Sequence, residues 1–107
     1  MNYYSIPGIR SMKKITISKA IKMTADYFGI TENQLITKDR SEQQVVKAGQ
    51  MLSYYLSAEM GMKPQIIGDY LNRERTAIMY RIQRVMDICY VDKDYKKEYL
   101  QYKYYLS

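Results

Sequence analysis

Apolar positions recur along this chain at helical spacing. Ile17, Ile21, Thr24, Ala25 and Phe28 fall on one face of a helix, with Ser18 as a suitable N-cap and Gly29 as a C-terminal stop. Thr31 with Gln34 three residues on forms a capping-box pair, which predicts a short helix over Glu32 to Ile36. A polar loop, Thr37-Lys38-Asp39-Arg40, leads to a second pair, Ser41 with Gln44. That pair opens a long helix whose apolar face is Val45, Ala48, Leu52, Leu56 and either Tyr55 or Met60, and Gly61 closes it. Pro64 suits the first turn of the next helix, where its missing N–H costs nothing. Ile66, Ile67, Tyr70 and Leu71 give that helix about two turns, with a stop at Asn72. Another helix begins around Arg73 or Glu74 and carries Ile78, Ile82, Val85, Met86 and Cys89 on one face, with Arg75, Arg81 and Arg84 elsewhere. The tail repeats Tyr95, Tyr99, Tyr102 and Leu106, the mark of a terminal helix with an aromatic stripe.

These elements predict an all-α, compact helical bundle. A short helix, a tight turn and a longer helix with arginine and threonine in its opening turn is the outline of a helix-turn-helix, whose second helix enters the major groove of a duplex amino end first. Residues 1–14, with Pro7, Gly8, Arg10, Lys13 and Lys14, have no periodicity and read as a flexible basic arm. Residues 15–90 form the helix-turn-helix domain, and residues 91–107 form a tyrosine-rich helix that packs on the domain or on a partner.

Charge and composition narrow the function. Seventeen lysines and arginines against eleven acids leave a net charge of +6, which favours an anionic partner such as nucleic acid or an acidic membrane surface. Charged residues interrupt every window of roughly 20 residues, so no bilayer span is expected. The lone cysteine, Cys89, has no internal disulfide partner, and no secretory leader pattern opens the chain, which together predict a cytoplasmic protein. With no histidine and one cysteine, the chain lacks a histidine general base, a Ser-His or Cys-His nucleophile pair and a Cys/His zinc set. Its glycines fit neither phosphate-loop pattern, so no nucleotide or other cofactor is expected and the chain does not read as an enzyme.

The segments Ile15-Thr16-Ile17 and Ala25-Asp26-Tyr27-Phe28-Gly29-Ile30 resemble the start of the C-terminal, duplex-binding domain of the bacterial replication initiator DnaA. Leu35, Lys38, Arg40, Gln50-Met51 and Glu59-Met60 follow in that family's order, and the run from Ile67 to Met79, I-G-D-Y-L-N-R-E-R-T-A-I-M, resembles its signature. The resemblance covers about residues 15 to 90, with one-residue length differences near Gln43 and Lys63. It implies a Trp-repressor-like bundle from a bacterium or phage, in which the helix opening near Arg73 reads double-stranded DNA and the loop around Arg40 approaches the minor groove. The family's histidine after the signature arginine and acid is replaced here by Arg75, which implies a shifted base preference, because arginine favours guanine. The basic segment that the family carries before its Gln-Met pair is Lys47-Ala48-Gly49 here, and Glu42 sits in the loop meant for the minor groove. Met1 lies close to the domain edge, so the nucleotide-hydrolysing motor of a full initiator is expected to be missing.

Sequence-dependent binding of double-stranded DNA, in replication control or transcription, is therefore the first reading. Arg75 and Thr76 are the base readers, flanked by Glu74 and Tyr80, while Lys38, Arg40, Lys63 and Arg73 lie on backbone or minor groove. Arg81 and Arg84 read as a solvated face, and Met51, Met60, Met79, Met86 and Cys89 as packing. The alternative is a protein-interaction module that keeps the fold without DNA, using the tyrosine-rich tail to dimerise or to engage replication proteins.

Overall fold

The computed structural model describes residues 15–38 and 42–107. The expected basic arm at 1–14, together with Asp39, Arg40 and Ser41, lies outside the described residues. The described chain is helical: α1 (Ile17–Phe28), α2 (Glu32–Ile36), α3 (Gln43–Ala58), α4 (Pro64–Leu71), α5 (Arg75–Val91) and α6 (Lys93–Leu106). The expected all-α bundle is thus what the chain forms. No described helix is long and apolar enough to cross a membrane.

Local chemistry sets most of the boundaries. The hydroxyl of Thr16, not that of Ser18, caps α1 by accepting from the Lys19 N–H, because the helix begins one residue ahead of Ser18. Gly29 ends it in the left-handed conformation at φ 68°. The Thr31–Gln34 capping box forms in full, with Gln34 Oε1 accepting from the Thr31 N–H at 2.8 Å. The second expected box, Ser41 with Gln44, involves Ser41, which lies outside the described residues. Glu42 is the N-cap of α3 without a side-chain cap bond, and Gln44 donates to the carbonyl of Phe28, tying α3 to the end of α1.

α3 is the central element, packed against α1, α4 and α5. Ala48, Met51, Leu52, Tyr55 and Leu56 on α3 meet Ala20, Ala25 and Phe28 of α1, Ile67 and Leu71 of α4, and Ile78 of α5 in one core. Of the two residues considered for the end of its apolar face, Tyr55 is inside, while α3 stops at Ala58 before Met60. The apolar faces of α4 and α5 are narrower than their sequences suggest. Ile66, Tyr70, Met79 and Met86 are exposed, because the neighbouring helices fully cover Ile67, Gly68 and Leu71 on α4 and Ile78 and Val85 on α5, with Ile82 and Cys89 half-buried against the core.

α6 closes the bundle across α1, and its side chains also reach α3. Tyr99, Tyr102 and Leu106 are buried. The Tyr102 ring packs against Tyr27, Phe28 and Tyr55. Its hydroxyl bonds Thr24 Oγ1 at 2.7 Å, and Thr24 in turn donates to the carbonyl of Ala20. Burial holds the Tyr102 and Tyr99 hydroxyls well above the ordinary phenol range, with Glu59 adding to the effect on Tyr99. Ion pairs Lys47–Glu98 at 2.9 Å and Lys103–Glu59 at 3.1 Å flank the seam.

Candidate nucleic-acid interface

α4 and α5 are joined by Asn72, Arg73 and Glu74 alone. Asn72 takes the left-handed conformation at φ 56°, which asparagine tolerates better than most residues, and its amide donates to the carbonyl of Ile36. The Arg73 N–H donates to the carbonyl of Gly68 at 2.9 Å. Glycine is required at 68, since a Cβ there would collide with the backbone oxygen of Arg73. The turn is therefore held from both sides, by α2 and by α4.

Arg73 adds to that bracing. Its Nη1 donates to the carbonyls of Leu71 and Asn72, and its Nη2 to the carbonyl of Thr37 at 2.9 Å. A guanidinium spread over three carbonyls orients the turn, while its charge remains at the surface of the motif.

The first turn of α5 faces outward. Glu74, Arg75 and Thr76 are exposed, and Tyr80, one turn further on, is 65% exposed. Among the described residues, none of these four side chains makes a hydrogen bond, ion pair or ring contact. Glu74, the N-cap of α5, makes no side-chain cap bond, so the first N–H groups of that helix are left for solvent or a ligand. Lys63 is likewise an exposed, uncapped N-cap, ahead of Pro64 at the start of α4. Both amino ends of the helix-turn-helix thus combine a partial positive dipole charge with a basic side chain, an arrangement suited to phosphate oxygens. Lys38 is exposed at the end of the α2 loop, and Arg40 lies outside the described residues.

Arg81 departs from the solvated position expected of it. It is half-buried against α3, where its Nη1 donates to Ser53 Oγ at 3.1 Å and to the carbonyl of Gly49 at 3.4 Å. Burial, then the like charge of Arg73, pushes its pKa down to about 10, so it stays a cation at neutral pH. A glycine inside a long helix was the available sign, since Gly49 lacks the side chain that would otherwise occupy this space. Arg84 is exposed. Cys89 is half-buried, and burial raises its thiol pKa, which disfavours the reactive thiolate.

No curated protein gives a significant match to the chain. The family model for the bacterial DnaA protein helix-turn-helix matches residues 17–85, from the first residue of α1 into the middle of α5, and α6 lies beyond it. By that match, the chain belongs to the DnaA helix-turn-helix family, whose domains bind DNA and are not catalytic.

Proposed function

We propose that this protein binds double-stranded DNA in a sequence-dependent way, as a cytoplasmic regulator of replication or transcription. The amino end of α5 enters the major groove, where Arg75 and Thr76 meet base edges and Glu74 and Tyr80 line the same surface. Lys63, Lys38 and Arg40 take backbone phosphates or the minor groove, and Arg73 holds the turn while adding charge. The observation that carries this reading is the exposed first turn of α5, whose side chains have no partner within the described chain. Selection from random duplexes at moderate salt, read by sequencing, tests it. An enriched motif is expected, and recovery of duplexes without sequence bias would reject base reading.

A second reading, contact with another protein, is favoured by a different surface. Met86, Tyr90 and Val91 stand exposed at the carboxyl end of α5, with Tyr90 91% exposed. By contrast, Tyr99, Tyr102 and Leu106 of the tail are engaged inside the bundle. Duplex binding that is absent even at low salt, together with a dimer in gel filtration, favours this reading over the first.

A further inference from the structure

Gly49 lies in the interior of α3, where glycine weakens a helix, and the space its side chain would fill is already taken. A Cβ there would stand 2.9 Å from Nη2 and 3.0 Å from Cζ of Arg81. Ser53, one turn along and fully buried, presents its hydroxyl to the same guanidinium. Gly49 and Ser53 therefore form a seat for an arginine that arrives from α5. Neither of the ion pairs Lys47–Glu98 and Lys103–Glu59 draws on Arg81, and the charge that acts on it is a second cation, Arg73. A partly desolvated cation beside another cation is costly until an anion joins them.

A groove of about 290 Å³ opens directly above this pair. Val45 and Gln50 of α3 form one wall and Ala77 and Tyr80 of α5 the other, with Arg73 and Arg81 supplying the charge. Tyr80 also lies one helical turn from Thr76, so the groove borders the exposed surface at the start of α5.

We propose that this groove is a phosphate notch, in which Arg81, seated on Gly49 and Ser53, binds one backbone phosphate of the duplex that α5 reads. The proposal rests on the duplex-binding reading above and adds a contact to it.

The test compares Arg81→Met with the unaltered full chain in salt titrations, on a selected duplex and on a random one. Affinity is expected to fall about tenfold or more on both, as for loss of a charge-assisted hydrogen bond. The slope of log affinity against log salt should become shallower by about 0.9. An unchanged slope and affinity overturn the notch, as does a loss confined to the selected duplex, which would make Arg81 a base reader. Thermal melting run alongside should show Arg81→Met no less stable than the parent, since it removes an unneutralised charge. A second measurement needs no variant and no DNA. Titration of the unaltered chain with inorganic phosphate, followed by the NMR resonance of the Arg81 guanidinium, should show a saturating shift. Failure of the chain to bind any duplex, with that shift present, rejects the duplex reading and leaves a site for free phosphate. An absent shift rejects the notch itself.

Discussion

The seam along α6 and the first turn of α5 are built from similar side chains, tyrosines and charged groups, yet the two regions use them in opposite ways. On the inward face of α6 the groups are spent internally. Tyr102 bonds Thr24, Tyr99 reaches Glu59, Tyr95 reaches Gln50, and lysine–glutamate pairs lie on either side. At the start of α5, the side chains of Glu74, Arg75, Thr76 and Tyr80 make no contact of this kind within the described chain. Under the proposed duplex reading, the difference separates stability from recognition. One region fastens the bundle, and the other is left with donors and charge for a partner, held in place by a turn that α2 and α4 both brace.

The sharpest way to break this division is to damage the seam. Tyr102→Ala removes a fully buried ring and should cost about 3–5 kcal/mol in equilibrium denaturation, while the molecules that remain folded keep their base preference. A changed preference would mean that the two regions are coupled. Gly68→Ala acts on the turn that aims α5, by forcing a methyl group into the backbone of Arg73. It should destabilise by about 1–3 kcal/mol and also weaken duplex binding, because the turn that aims α5 has to shift. Loss of stability with binding intact would show that the turn does not need its present geometry.

Smaller again is Tyr102→Phe, which keeps the ring and deletes the hydroxyl bonded to Thr24, at a cost of about 1 kcal/mol at neutral pH. The same hydroxyl sets a pH dependence. An unfolded tyrosine releases its proton near pH 10, whereas burial pushes Tyr95 up to about 12 and Tyr99 and Tyr102 further still. Above pH 10 the native chain keeps protons that the unfolded chain has lost. The contribution is therefore complete below pH 10 and declines as pH rises beyond it. Melting temperature followed from pH 8 to 11 should fall at the alkaline end, and less steeply in Tyr102→Phe.

Signals that act over a few residues were legible in the sequence: the Thr31–Gln34 box, Gly29, Pro64 in a first turn, and the stop at Asn72. Their partners lie within one turn, so composition and spacing are enough. Competition between nearby candidates blurred the start of α1, where Thr16 caps instead of Ser18, and the start of α5, which opens at Arg75 just after the expected position. Periodicity told which residues share a face but not how wide a strip the neighbouring helices would cover. Met79, Met86, Ile66 and Tyr70 are consequently outside although they repeat with the core. Least legible was Arg81. Its seat depends on Gly49, 32 residues away, and on the way α3 crosses α5, a relation that neither segment carries alone.

The central claim is that the first turn of α5 reads bases while the surrounding lysines only hold the duplex. It is tested most directly by measuring Arg75→Ala and Lys38→Ala against a selected duplex and its single-base-pair variants at one salt concentration. Arg75→Ala should erase about 1–3 kcal/mol of discrimination at one base pair and leave the other positions as they were. Lys38→Ala should weaken every duplex alike. Equal, sequence-independent losses in both variants would contradict the assignment of Arg75 as a base reader, and with it the account of how α5 is used.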